Sequence, residues 1–243
     1  MTKVSSHSLH AFFWPESVAV IGASPDLGKI RGRLLSFLVS NGYRGNILPI
    51  NPSHQKILDL QCHPDIAAAT QFIQQPIDVV LMAIPADAVL PELERCAASK
   101  VKHVVIITAG FAEEGGESSN VQQQIAQLSK RTGMRISGPN AEGYYNAIIN
   151  LAATFSPTLA EPPAASPRIS DKKVGIVAQS GGVGYALFQQ GRQMGLDFSY
   201  VVTSGNEADI DMAEFVEYMV EDSDTHVIFC LLYTSPSPRD KTV

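Results

Sequence analysis

The stretch Val-Ala-Val-Ile-Gly-Ala-Ser-Pro-Asp-Leu-Gly, residues 18–28, decides the fold, and Val-Gly-Ile-Val-Ala-Gln-Ser-Gly-Gly-Val-Gly, residues 174–184, repeats its template. Each is an apolar β-type run, then a serine in a turn of small residues, then a glycine that would open a helix. A strand ending this way gathers free backbone N–H groups at the positive end of a helix dipole. That arrangement suits an anion, most often phosphate. Two copies of it predict two nucleotide-type or phosphate-type sites in one chain.

Composition narrows the class. With 243 residues, 45% of them hydrophobic, the chain can bury substantial cores and has room for two modest domains. A net charge of −6 argues against a general nucleic-acid binder. The apolar run at residues 11–14 is too short and wrongly flanked for a signal peptide, and no segment reaches membrane-spanning length. Cys62, Cys96 and Cys230 are spaced for neither zinc nor a disulfide framework. The expectation is a cytoplasmic α/β protein with reduced thiols and no metal site. Glu214, Glu217 and Glu221, within the acidic stretch 207–224, share one helical face and read as a solvated surface.

Residues 230–240, Cys-Leu-Leu-Tyr-Thr-Ser-Pro-Ser-Pro-Arg-Asp, are what one reading frame of a sequencing-transposon adapter encodes. They are set apart from the fold, so that 230–243 reads as a non-native tail and the natural sequence is expected to depart near Phe229.

Apolar runs at 17–21, 46–50, 77–84, 101–108 and 134–136 read as strands, with helical periodicity around 33–39, 90–98 and 121–131 between them. Alternation at this spacing predicts right-handed crossovers and an open parallel sheet, with ligands at the carboxyl ends of its strands. Residues 157–172 turn to Pro, Ala and Ser, a linker signal. The pattern then restarts, with strands at 174–178, 198–203 and 227–229, a helix after Gly184 and another at 213–220. The predicted architecture is a Rossmann-like domain over 1–156, the linker 157–172, and an incomplete flavodoxin-like domain over 173–229.

The first turn is not the dinucleotide fingerprint. Ala23-Ser24-Pro25 replaces the middle glycine, and after the second strand Asn51-Pro52-Ser53-His54 offers no carboxylate for ribose hydroxyls. Instead Lys29, Arg31 and Arg33 follow the turn, and His54 and Lys56 follow the second strand. Basic groups there suit a nucleotide carrying a ribose phosphate, such as NADP or coenzyme A.

The blocks Ser17-Val-Ala-Val-Ile-Gly-Ala-Ser24, Leu48-Pro-Ile-Asn-Pro52, Ala83-Ile-Pro-Ala86, Thr108-Ala-Gly-Phe-Ala-Glu113, Gly138-Pro-Asn140, Gln179-Ser-Gly-Gly182 and Ser204-Gly-Asn206 resemble the NDP-forming acyl-CoA synthetases. These are relatives of the succinyl-CoA synthetase alpha subunit, and the blocks stand in that family's order. The resemblance implies a CoA-binding Rossmann-like domain followed by a flavodoxin-like ligase domain. The implied reaction interconverts acyl-CoA, phosphate and ADP (or GDP) with the carboxylic acid, CoA and ATP (or GTP) through an acyl phosphate and a phosphohistidine. It also implies that CoA meets Gly22, Ala23, Ser24, Gly28, His54, Pro85, Thr108, Ala109 and Gly110. The ligase site would fall on Asn140, Ser180, Gly181, Gly182, Tyr185, Gly205 and Asn206, with the second glycine turn receiving the phosphorylated histidine.

Ala141-Glu142 departs from the small residue or cysteine usual in the family after Gly-Pro-Asn. None of His7, His10, His54, His63, His103 and His226 has the family's Ser-His-Thr-Gly context, so the catalytic histidine is expected beyond these residues. His63 and His226 read as structural. ATP or ADP and Mg2+ would come only through a nucleotide-binding ATP-grasp domain or beta subunit. The other partners implied are a small acyl substrate and further copies in an oligomer, with no nucleic acid and no membrane. The competing reading is a CoA-sensing regulatory part of a protein lysine acetyltransferase, and a more distant one is an NADP oxidoreductase.

Overall fold

In the computed structural model, which describes residues 6–114, 117–160 and 171–232, the chain builds two five-stranded sheets and a small hairpin. The first unit runs α1 (His10–Phe13), β1 (Ser17–Ile21), α2 (Ile30–Ser40), β2 (Asn46–Ile50), the hairpin β3 (Lys56–Ile57) and β4 (Leu60–Gln61), then α3 (Ile66–Ile73) and β5 (Val79–Met82). It continues through α4 (Ala86–Ala98), β6 (His103–Ile106), α5 (Glu117–Thr132) and β7 (Arg135–Ser137). These strands form an all-parallel sheet in the order β2-β1-β5-β6-β7. β1, β5 and β6 are buried at every position, as continuous apolar runs in a sheet covered on both faces should be. Asp78 staples the sheet's amino-terminal edge: its carboxylate accepts the N–H groups of Glu16 (2.8 Å) and Ser17 (3.2 Å) and pairs with Lys102 at 2.6 Å.

The second sheet differs from expectation in membership. β10 (Lys173–Ala178), α6 (Gly181–Gln193), β11 (Asp197–Thr203), α7 (Met212–Glu221) and β12 (Val227–Leu231) follow the predicted alternation. The order β12-β10-β11-β8-β9, however, recruits β8 (Gly143–Asn146) and β9 (Leu151–Thr154), which pair antiparallel beside β11. The expected 1–156 unit thus lends its last two strands to the other sheet. Four-residue strands carry too few periods to be read from sequence. Gly143, at φ +96°, starts the hairpin where a Cβ would lie 2.1 Å from the Ala153 carbonyl. Residues 157–159 form a 3-10 turn. The middle of the predicted linker, 161–170, and tail residues 233–243 lie outside the described residues. β12 runs through Cys230 and Leu231, which pair with Val177 and Ala178.

A wedge and a seam join the sheets. α1 places Phe12 and Phe13, both fully buried, in a core cluster shared with Val20 and Leu81 of the first sheet and Tyr200 and Val202 of the second. Phe12 stacks on Tyr144 (ring centroids 4.2 Å apart) and Phe13 on Tyr218 (4.4 Å). The Tyr144 hydroxyl donates to the Phe12 carbonyl at 2.6 Å, and Asn146 Nδ2 donates to that of Phe13 at 2.8 Å. α1 is too short to hold itself, so these contacts fix it. Along the seam, the N–H groups of Asn206, Ala208 and Ile210 donate to the carbonyls of Pro139, Gly138 and Ile136 at 2.9–3.0 Å. Arg135 spans it, reaching Asp209 at 3.0 Å and Glu214 at 2.8 Å.

Glu214 is therefore an ion-pair partner of the first unit, which corrects the wholly solvated face expected of this stretch. Residues 207–211 precede the helix as a loop because the seam claims their backbone. Among the described residues no helix is long and apolar enough to cross a membrane.

Phe12→Ala should cost about 3–5 kcal/mol of stability through lost burial and a residual cavity. Urea denaturation should separate it from Phe72→Ala, where a 56% exposed ring leads us to expect about 1 kcal/mol or less.

Candidate functional site

The carboxyl ends of β1, β2, β5 and β6 carry the predicted first site. Gly22 takes φ +84°, and a Cβ there would stand 2.7 Å from the Ala83 carbonyl. Glycine is thus required for the β1 turn to lie against the end of β5. Ala23 is buried, and its carbonyl accepts Asn51 Nδ2 at 2.8 Å, which ties the turn to the end of β2. The Ser24 hydroxyl accepts the Asp26 N–H, and the Asp26 carboxylate accepts the Gly28 N–H at 3.0 Å. That Gly28 bond, helped by Lys29, lowers the Asp26 pKa. Pro85 caps α4, and Thr108 donates its hydroxyl to the Ile84 carbonyl at 2.6 Å, which draws the β5 and β6 loops together.

The helix after this turn begins at Ile30 rather than at Gly28. Lys29 lies 3.3 Å from Asp26, and Arg33 donates to the Gly28 carbonyl at 3.1 Å, so both serve their own loop. His54 stands apart: it lines a cavity of about 540 Å³ with Pro52, Lys56 and Cys62, to which residues 22–28 contribute nothing. His63 is buried and ring-packed on Phe72, with its pKa lowered by burial, and His226 accepts the Lys173 N–H at the start of β10.

The second glycine turn opens onto a cavity of about 580 Å³ at the α6 N-terminus. Asn140, Ser180, Gly181, Gly182, Gly205 and Asn206, all predicted, line it together. Ile107, Ala141, Glu142, Phe155 and Gln179 complete the wall. α6 starts at Gly181, three residues before the predicted Gly184, and its N-cap Ser180 makes no side-chain capping bond. Helix geometry leaves the first-turn N–H groups without intrahelical acceptors. Gly184 is needed for packing, since a Cβ would meet that of Ala178 at 2.9 Å.

Tyr185 is not in the wall. It is fully buried against Phe188 beneath α6, because the fifth residue of this helix faces the sheet. Glu142 was noticed in the sequence only as a departure from pattern. Its N–H donates to Thr203 Oγ1 at 2.9 Å, its carbonyl accepts from Thr154 at 2.7 Å, and its side chain lies against Gly181. Burial raises its pKa, and the nearby Ser156 hydroxyl offsets part of that rise.

Sequence reasoning also missed what binds the two sites together. Glu113 accepts the Gly110 N–H at 2.7 Å through one oxygen and the Asn206 amide through the other. Burial opposes its charge, but these bonds outweigh that and lower its pKa. Gln122 accepts from Asn206 Nδ2 at 3.0 Å, and Glu207 holds Ser204 (2.7 Å) and Gln179 (3.2 Å). Glu113 and Gln179 fall within motifs already singled out, but spacing alone cannot tell which loops meet. Among the described residues, no three His, Cys, Asp or Glu converge as a metal set.

A parallel sheet with a glycine turn after its first strand, joined through loops to a second sheet with the same device, defines an α/β protein of the nucleotide-binding class. The chain belongs to the CoA binding domain family, which it matches over residues 16–146, and residues 171–240 match the succinyl-CoA ligase like flavodoxin domain. It is 32% identical to acetate–CoA ligase [ADP-forming] I of Archaeoglobus fulgidus over 90% of this chain and 30% of that protein. It is 36% identical to the acetate–CoA ligase [ADP-forming] I subunit alpha of Pyrococcus furiosus, over 91% of this chain and 46% of the subunit. The solved dinucleotide forming acetyl-coenzyme A synthetase 1 of Ca. Korarchaeum cryptofilum superposes with a TM-score of 0.83 at 32% identity, covering 95% of this chain and 47% of that one. The chain thus spans between about a third and a half of these relatives' length.

Gly181→Ala would bring a Cβ within 2.5 Å of both the Glu142 Cβ and its carboxylate, while a Cβ at Gly182 meets nothing within 4 Å. Thermal melts should show Gly181→Ala destabilised by about 1–3 kcal/mol and Gly182→Ala close to the parent.

Proposed function

We propose that this chain is the CoA-binding part and a portion of the ligase part of an ADP-forming acid–CoA ligase. The reaction joins a carboxylic acid to CoA with ATP cleavage to ADP and phosphate, and runs in both directions. The single observation that carries this reading is the cavity at α6. Its wall combines a glycine helix start from the second sheet with the Asn140 loop of the first, beside the Thr108–Gly110 loop. A phosphoryl group at α6 would meet first-turn N–H groups that Ser180 leaves uncapped, next to loops proposed to carry CoA.

CoA fits the first turn on the same terms. The turn is backbone-lined, and Arg31 extends from the exposed start of α2. No carboxylate stands at the end of β2 to take ribose hydroxyls, which disfavours a dinucleotide. Bound CoA supplies the thiol that accepts the acyl group. The chain's residues position its phosphates and close the path between the two loop sets. The phosphohistidine and an ATP-grasp domain or beta subunit would come from polypeptide outside these residues, with a small acyl group as substrate. The relatives named above are ligases, which favours this reading over the acetyltransferase one.

Calorimetry on the chain should detect CoA binding and no NADH binding. Arg31→Ala should weaken CoA by about three- to tenfold without unfolding the protein. NADH binding without CoA binding would overturn the assignment.

The chain alone should form no acyl-CoA from ATP, CoA and acetate. In the complete enzyme, Gly182→Asp should sharply lower radiolabelled phosphoryl transfer to the histidine, since the fold has room for the side chain and its charge opposes the phosphoryl group. Undiminished labelling would place the phosphoryl site elsewhere.

A further inference from the structure

The cavity at α6 holds an acid where its proposed ligand is an anion. Glu142 is the ionisable residue in the described wall, which contains no Lys, Arg or His. It cannot retreat by moving its backbone, which is bonded to Thr203 on one side and Thr154 on the other. Its carboxylate lies so close to Gly181 that an added Cβ would stand 2.5 Å from Oε2. The groups around it give no cationic relief. The turn after β9 contributes the Ser156 hydroxyl, and α6 contributes the buried phenol of Tyr185. Beyond β11, Glu207 is engaged by Ser204 and Gln179, and in the loop after β6 Glu113 is engaged by Asn206. An ionised Glu142 would therefore oppose any anion seated on the α6 amides.

We propose that Glu142 binds the anion of this cavity as the neutral carboxylic acid, taking up one proton from solvent as the phosphoryl group arrives and donating a hydrogen bond to one of its oxygens. This rests on the reading of the cavity as the phosphoryl site. The proton returns to solvent when the anion leaves, so binding is proton-linked through a single side chain. Burial already favours the neutral acid, and the incoming negative charge favours it further. Anion affinity should then be flat at low pH. It should fall as pH rises through the titration of Glu142 in the free protein, by up to about tenfold per pH unit for one linked proton.

Sulfate is the probe, since it stays a dianion across the whole range in which a carboxyl group can titrate, whereas a phosphate ester changes charge at about pH 6. Titrations of the chain and of Glu142→Gln, followed by the amide resonances of Gly181 and Gly182, should show affinity falling with pH in the parent. The variant should show a flat profile and tighter binding at the alkaline end. Carbon NMR of the parent's Glu142 carboxyl, which needs no variant, should show its titration moving to higher pH on sulfate addition. A pH-independent affinity in the parent, an unmoved carboxyl titration, or a variant sharing the parent's profile would overturn the proposal while leaving the phosphoryl site in place. Failure of sulfate to move those amides in either protein at any pH would remove the phosphoryl-site reading, and the proposal with it.

Discussion

The constraint on which the rest depends is the wedge of Phe12 and Phe13 between the sheets. Neither sheet is closed on that side without it: the rings pack against Tyr144, Tyr200, Phe215 and Tyr218, in a cluster that also holds Val20 and Leu81. The carbonyls of these two residues end a one-turn helix, where they would lack partners, and Tyr144 and Asn146 of the second sheet accept that task. A buried carbonyl without a partner costs on the order of 1–3 kcal/mol, so the wedge and the hairpin require each other. The hairpin in turn fixes β11, whose end carries Ser204, Gly205 and Asn206.

The seam converts this packing into a site. Three backbone hydrogen bonds pair residues 206–210 with 136–139, running from β7 into the loop that follows it. Arg135 completes it with two carboxylates while only 23% of its side chain is exposed, a placement in which charge-assisted bonds are stronger than surface ion pairs. The consequence is geometric. The loop after β7 and the loop after β11 cannot move independently, and position 205 admits only glycine, since a Cβ there would strike the Pro139 carbonyl at 2.3 Å. Two sheets that could have been beads on a string share one cavity.

The sequence made some of this legible and not the rest, for physical reasons. β1, β5 and β6 announced themselves because strands buried on both faces must be continuously apolar. Ser180, Gly181 and Gly182 were readable because a turn that opens a helix at a strand end demands small residues, whereas Asn140, Gly205 and Asn206 came only from the family resemblance of their motifs. α3 was missed although Asp65 caps it by accepting the Ala68 N–H, a signal present in the sequence. α1 and the β8–β9 hairpin were not readable, because their order comes from each other and not from their own propensities. Tyr185 was misplaced toward the pocket because a motif fixes a residue's position in the chain but not which face of a helix it occupies. His54 was grouped with the first turn on sequence proximity to β2, but its cavity is a separate one.

Carboxylates recur where these loops offer N–H groups. Asp26 takes that of Gly28, and Glu113 takes that of Gly110 while holding Asn206 across the seam. Each bond satisfies a donor that helix starts and glycine turns would otherwise leave unpaired, so the loops keep their shape through their own side chains. An anion that takes these N–H groups must compete with a tethered monoanion, and a dianionic phosphate has the charge to do so where a simple carboxylate does not. Glu113 differs from Asp26 in one respect. Its second oxygen belongs to the other sheet's loop, so a ligand that displaces it at Gly110 also removes one of the two acceptors, Glu113 and Gln122, that hold the Asn206 amide in the α6 cavity. The two Glu113 oxygens thus tie the loop after β6 to the loop after β11, alongside the bond from the Asn140 N–H to the Thr108 carbonyl at 2.9 Å, so the β6 loop and the α6 cavity wall are held to one geometry.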